Sequence, residues 1–192
     1  MSDTRLEGRA AVITGASDGI GLGIAQRYVQ AGGSVVLSDV DDARGEAATK
    51  ALKDAGAKVV YQHCDVTKKD DVLALVARSV KEFGAVDILV NNAYRGEGIR
   101  RVEQWSDDSL QTNLLMNLYG PKWAMEAALG SGACAAVIAW SGAASRVALQ
   151  RLHLLAGKRP VWSVLVRAVR FRHERSPAML RLQLHVQPGA QS

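Results

Sequence analysis

Ala10-Ala11-Val12-Ile13-Thr14-Gly15-Ala16-Ser17-Asp18-Gly19-Ile20-Gly21 sets an apolar, β-branched run directly before a glycine-rich turn. From Gly19 to Ala31 the residues Ile20, Ile24, Ala25 and Val29 recur on one face at helical spacing. The stretch reads strand, tight turn, helix, and the same alternation continues outward from it. Gly32-Gly33 stops the helix, Ser34 to Ser38 is a second strand, and Asp41-Asp42 caps a helix from about Ala43 to Ala55. Lys58 to His63 is a third strand. Thr67-Lys68-Lys69-Asp70 has the form of a capping box and opens a helix carrying Val72, Leu73, Leu75, Val76 and Val80. Asp87 to Val90 is a fourth strand, Ser106 caps a long helix to about Ala128, and Ala135 to Ala139 is a fifth strand.

Strands that are apolar at nearly every position are buried on both faces, as in a parallel sheet covered by helices. With strand–helix alternation and short connections this gives the α/β class, a doubly wound parallel sheet of Rossmann-like form, as one domain over residues 1–192. At 192 residues with 48% hydrophobic and 22% charged side chains, the chain has material for a packed core and is neither disordered nor collagenous. No apolar run approaches the roughly 18–20 residues of a membrane span. The charged start lacks the form of a signal peptide, and two cysteines, Cys64 and Cys134, fit a reducing compartment, so a cytoplasmic location is expected.

The net charge of +5 is unevenly held. Residues 146–192 carry nine Lys and Arg side chains against Glu174 alone, a net of +8, which leaves −3 on the first 145 residues. The strand–helix pattern weakens at about Ser145 as well, so 146–192 is an atypical basic segment. Its arginines lack the aromatic interleaving of a nucleic-acid surface and read as a solvated helix face. His63, His153, His173 and His185 have no metal-ligand spacing with either cysteine, and no metal site is expected.

Gly15, Ser17, Asp18, Gly19, Ile20 and Gly21 form the turn between the first strand and its helix. Glycines there let the backbone approach a pyrophosphate closely, and the helix N-terminus supplies N–H groups and the positive end of its dipole. Asp39 ends the second strand, twenty residues beyond Gly19. A carboxylate at that offset hydrogen-bonds the adenosine ribose hydroxyls and repels a 2′-phosphate, so NAD(H) is favoured over NADP(H).

Thr14-Gly15-x-x-x-Gly19-x-Gly21, Cys64-Asp65-Val66-Thr67 after the third strand and Asn91-Asn92-Ala93 after the fourth stand at the carboxyl ends of successive strands. Together they resemble the classical short-chain dehydrogenase/reductase family, from residue 5 to about residue 145. The resemblance implies that Asp65 and Val66 contact adenine and that Asn91 and Ala93 line the cofactor cleft and brace the sheet. Tyr94 stands where the family usually has glycine.

The resemblance also implies four catalytic residues. Asn117 is the asparagine, in Met116-Asn117-Leu118-Tyr119-Gly120-Pro121, with Asn113 a competing candidate. Pro121 has no N–H to return to the preceding turn and should loosen the helix around Asn117. Ser141 is the serine after the fifth strand, and Lys158 is the lysine that also binds cofactor. The tyrosine belongs four residues before Lys158, where this chain has Leu154, and no tyrosine follows Tyr119. Pro160 interrupts a segment that should be helix, although Val161-Trp162-Ser163 fits the next one. Val186-Gln187-Pro188-Gly189 is similar to the family's Pro-Gly after its sixth strand. With Ser192 the last residue, the seventh strand has no counterpart, so the C-terminal strands are expected to be incomplete and the family's homo-oligomer weakened. The segment after Ser145 fits either an in-frame divergent tail or an out-of-frame reading of a longer gene.

The resemblance thus implies an NAD(P)-dependent oxidoreductase moving hydride between a nicotinamide cofactor and a small alcohol or carbonyl substrate, without membrane or nucleic-acid partners. Leu154 keeps two alternatives open: a dinucleotide-binding or scaffold protein without turnover, or a truncated product without function.

Overall fold

A computed structural model describes residues 4–94 and 105–133, and the backbone of two further strands at 136–140 and 162–166. Four parallel strands, β1 (Ala10–Thr14), β2 (Ser34–Asp39), β3 (Val59–His63) and β4 (Ile88–Val90), form one sheet in the order β3-β2-β1-β4. Ala11 pairs with Val35 on one side and with Ile88 on the other.

Alternate residues of each strand point to opposite faces, and both faces are covered. Ala11, Ile13, Val35, Leu37 and Val59 pack on α1 (Gly19–Gln30) and α2 (Asp42–Asp54). Val12, Val36 and Val60 pack on α3 (Lys69–Phe83) and on α5 (Gly120–Ser131). That is the doubly wound arrangement expected of apolar, β-branched strands. Gly45 in the first turn of α2 is required by this packing, because a Cβ there would fall on the ring of Tyr61 from β3.

Leu75 is wholly buried in the second of these layers. Replacing it with alanine removes apolar contact and leaves a cavity between α3 and the sheet. Leu75→Ala should therefore cost about 2–5 kcal/mol in urea unfolding.

The helix caps follow the local chemistry. Asp41 accepts from the Arg44 amide at the start of α2, and Ser106 accepts from the Ser109 amide at the start of α4 (Asp107–Leu114). The expected capping box at Thr67 does not form. The N-cap of α3 is Lys68, without a side-chain cap, and the Thr67 hydroxyl and amide instead donate to the Asp65 carboxylate at 2.7 and 3.0 Å. The Asp65 carboxylate holds both Thr67 donors in a turn ahead of the helix, and the helix starts after Lys68.

The long helix after Ser106 is interrupted. Between α4 and α5 lies a π-helical segment, Leu115–Tyr119, and the Gly120 amide reaches back to the Leu115 carbonyl. Pro121 is the cause expected from sequence, since it has no N–H to give to Asn117. The extra residue re-phases the helix: α4 buries none of its residues, whereas α5 buries Gly120, Ala124, Ala128 and Leu129.

Two further strands, β5 (Ala136–Trp140) and β6 (Trp162–Val166), pair in parallel with each other as a separate two-stranded sheet. β6 corrects the expectation of a helix at Trp162. Trp162-Ser163-Val164-Leu165-Val166 is aromatic and β-branched, and Pro160 just before it opposes helix entry. Ser141, Leu154, Lys158 and the rest of the basic segment lie outside the described residues.

Candidate functional site

The sheet order reverses between β1 and β4, and the loops after these two strands meet there. Thr14 closes the junction: its Oγ1 accepts from the Asn92 amide at 3.0 Å and the Ala93 amide at 3.1 Å, and donates to the Val90 carbonyl at 3.4 Å. The Asn92 side-chain amide donates to the carbonyls of Thr14 and Gly15, at 3.0 and 2.9 Å. Asn92 is therefore the clamp between the two loops, and it lies between Asn91 and Ala93, the residues expected to line the cleft. Asn91 is exposed, and Ala93 contributes its backbone.

Gly15 has φ +63, and a Cβ on it would lie 2.8 Å from the Ala93 Cα. A Cβ on Gly21 would fall on the Gly15 carbonyl oxygen and reach within 2.6 Å of Asn92 Nδ2. Gly19 has φ +54, but the space beside it is open. The loop is thus closed on its inner side and open on its outer side, where Ile20 is 78% exposed at the start of α1. Asp18 caps α1 by accepting from the Gly19 amide. A cradle of this form, on a helix N-terminus, fits a pyrophosphate.

Asp39 lies at the tip of β2 and is joined to this loop. One carboxylate oxygen accepts from the Ser17 hydroxyl at 2.7 Å and the Ser17 amide at 3.2 Å; the other accepts from the amides of Val40 and Asp41. Burial works to raise its pKa, but the hydrogen bonds from Ser17, Asp41 and Val40 outweigh burial and hold the carboxyl below its ordinary value. Beneath it, the Tyr61 hydroxyl lies 2.9 Å from the Asp39 carbonyl oxygen and 2.8 Å from Asp42. Burial, then Asp42, keep that phenol protonated, so Tyr61 is a strut rather than an acid–base group.

Asp65 is also held low: burial opposes, and the Thr67 hydroxyl and amide, then Lys68, prevail. Val66 is only 8% exposed and sits in the core, and a Cβ on Gly120 would meet its carbonyl at 2.5 Å. The Val66 side chain is therefore committed to packing. Cys64 is buried, and burial followed by the Asp71 and Asp65 charges pushes its thiol up to about 12, so it is no nucleophile. Asn117 is exposed on the π-helical segment and donates to the Asn113 carbonyl at 3.0 Å. Asn113, the competing candidate, donates in turn to the Ser109 carbonyl at 2.9 Å.

Asp39 and Asp65 set an acid limit. A carboxylate whose pKa is lower in the folded state stabilises the fold above its unfolded value and stops doing so as pH falls through the folded value. Thermal stability should accordingly drop on acidification below about pH 4. The drop should be smaller in Asp39→Asn, measured by melting between neutral and acid pH.

A glycine loop on a helix N-terminus, placed where a parallel sheet reverses its order and beside a carboxylate on the next strand, is the architecture of dinucleotide-binding α/β domains. A family model for short chain dehydrogenases matches residues 9–151. The chain belongs to that family. Tropinone reductase-like 1 of Erythroxylum coca is 40% identical over 119 residues, covering 60% of this chain and 43% of that protein. L-fucose dehydrogenase of Oryctolagus cuniculus is 38% identical over 119 residues, covering 62% and 40%. The chain spans less than half the length of either. L-sorbose reductase of Gluconobacter frateurii, solved with NADPH and L-sorbose, superposes with TM-score 0.66 at 29% identity over 73% of this chain and 54% of that one. A short chain dehydrogenase/reductase of Burkholderia phymatum, solved with NAD, gives TM-score 0.68 at 24% identity over 85% and 66%, a likeness of fold. Among the described residues no helix is long and apolar enough to cross a membrane.

Proposed function

We propose that this chain binds a nicotinamide dinucleotide along the carboxyl edge of its sheet, NAD(H) in preference to NADP(H), as a short-chain oxidoreductase of alcohol or carbonyl substrates. In this reading Gly15, Ser17, Asp18, Gly19, Ile20 and Gly21 hold the pyrophosphate, and Asp39 takes the adenosine ribose. Asp65 and the Val66 backbone meet the adenine, and Asn91 and Ala93 line the cleft. When bound, the cofactor supplies the hydride chemistry. Asn117, Ser141 and Lys158 keep the catalytic roles the family resemblance implies, and Lys158 also holds the cofactor. Residues 1–192 act as one domain, in the cytoplasm, as a homo-oligomer weakened by its altered C-terminal segment.

Asp39 carries the cofactor preference. Asp18 and Asp41 stand on either side of it, and the glycine loop holds no Lys or Arg. A 2′-phosphate set against this group of acids should cost about 1–3 kcal/mol, or roughly ten- to a hundredfold in affinity. Titration of intrinsic fluorescence with both reduced cofactors tests the reading: NADH should bind tighter by that factor, and equal or tighter NADPH binding overturns the preference. Leu154 favours a second reading, in which the chain binds dinucleotide without turning over a substrate.

A further inference from the structure

His63, the last residue of β3, stands between the first turns of two helices. Its Nδ1 lies 2.8 Å from Asp42 Oδ1 at the start of α2, and its Nε2 lies 3.9 Å from Asp71 Oδ2 near the start of α3. Each carboxylate oxygen has a second partner. Asp42 Oδ1 also accepts from the Tyr61 hydroxyl at 2.8 Å, and Asp71 Oδ2 accepts from the Asp65 amide at 3.0 Å. In the register of the sheet His63 is the direct partner of Asp39. The imidazole therefore ties the corner after β2, which holds Asp39, to the corner after β3, which holds Asp65. The other charged groups around it are Asp39 at the tip of β2, Asp41 with Arg44 on α2, Asp65 with Lys68 in the turn after β3, and Lys69 and Asp70 on α3. The adjoining Cys64 thiol is buried and keeps its proton. Acids outnumber bases in this group, and an imidazole is the side chain in it whose charge changes between pH 5 and 8.

We propose that His63 is a positioning residue whose proton draws these two corners together, so that the adenosine half of a dinucleotide binds more tightly to the imidazolium form than to the neutral form. The proposal rests on the dinucleotide reading given above, in which Asp39 takes the ribose and Asp65 meets the adenine. An imidazolium carries N–H on both ring nitrogens and attracts Asp42 and Asp71 together. A neutral ring keeps one N–H. The Asp42 carboxylate, at hydrogen-bond distance, holds it on Nδ1, and the Nε2 lone pair then faces Asp71. Asp42 and Asp71 are left as like charges across the corner, and the Asp65 turn, which Asp71 holds by its amide, loses its tie to α2. The His63 side chain is 44% exposed, so bulk pH reaches it, and ion pairs of this kind have a modest effect. The clasp is therefore present on the acid side of the imidazole range and is lost as pH rises through it.

Affinities of the full chain for NADH and for ADP-ribose, which keeps the adenosine and both phosphates without the nicotinamide, test this near pH 6 and pH 8. The variants are His63→Gln and Asp71→Asn, with melting temperature monitoring the fold. The diphosphate of neither ligand titrates in this range, so the slope belongs to the protein. The unmodified chain should bind both ligands about two- to fivefold more tightly at the lower pH. Calorimetry at neutral pH in two buffers of different ionisation enthalpy should show net proton uptake on binding. Both signatures should vanish in His63→Gln and shrink in Asp71→Asn. A His63→Gln chain that keeps the slope and the proton uptake would overturn the role of His63, as would an unmodified chain that binds equally at both pH values; dinucleotide binding itself would stand in either case. Folded protein that binds neither ligand at either pH would overturn the dinucleotide reading, and this proposal with it.

Discussion

Gly21→Ala should abolish dinucleotide binding, lowering NADH affinity roughly a hundredfold or more, whereas Gly23→Ala two residues along the same helix should be harmless or stabilising. The two glycines share a helix and a neighbourhood but not an environment. At Gly21 the new methyl group falls on the Gly15 carbonyl and against the Asn92 amide. Neither can yield alone, because Asn92 Nδ2 is bonded to that same carbonyl and to the carbonyl of Thr14. Relief means moving the whole junction, and overpacking of this kind costs about 1–3 kcal/mol before any ligand is considered. A ligand read by backbone groups loses its fit at the same time, and each 1.4 kcal/mol is about tenfold in affinity. At Gly23 nothing lies within 4 Å, so alanine gains its helix propensity, worth about 1 kcal/mol. Fluorescence titration and thermal melting of the pair read both effects. Near-normal binding by Gly21→Ala would show that the loop is not the cradle.

The unmodified chain should oxidise alcohols or hydroxysteroids at a small fraction of the rate of a complete catalytic set, by about 10²–10⁴-fold, the usual worth of general acid–base catalysis. In the family the tyrosine hydroxyl gives or takes the proton as hydride moves. A phenol's pKa of about 10 must come down for this, and a neighbouring lysine cation brings it down by favouring phenolate. Lys158 has the charge, but Leu154 has no proton to transfer. Tyr61 offers no replacement: it is a strut under β2, and its surroundings hold its proton more tightly. NADH formation against a panel of alcohols, beside Leu154→Tyr, measures the deficit. Robust turnover by the unmodified chain would mean that Leu154 does not occupy the tyrosine position.

Much of this architecture was legible in short stretches of sequence because its causes are local. Apolar β-branched runs gave β1 to β4, Asp41 and Ser106 could be read as caps, and Pro121 announced the opened turn at Asn117. What escaped reading depends on partners far along the chain. Asn92 acts on Thr14 and Gly15, 78 and 77 residues away, and nothing beside it distinguishes it from Asn91. The Ser17–Asp39 bond, across 22 residues, is of the same kind. Thr67 is not the cap because Asp65 holds its amide and hydroxyl in a turn ahead of the helix, a contact that a motif does not weigh. Trp162 and Ser163 lie in β6 rather than in a helix because a short aromatic, β-branched run suits either element and Pro160 opposes helix entry.

The clamp at Thr14 also has a kinetic meaning. β1 with β2 and β2 with β3 close over about two dozen residues, as in Ala11 with Val35 and Val35 with Val59, but β1 with β4 joins Ala11 to Ile88. Contacts so distant in the chain must bear the largest loop-closure entropy, and they form late in folding. The glycine loop takes its closed inner shape from Asn92 and Ala93, which arrive with β4. The ability to hold a ligand is thereby tied to the most non-local pairing in the sheet: it is acquired only when β4 docks, and it is lost when β4 frays, while the first three strands and their helices still stand.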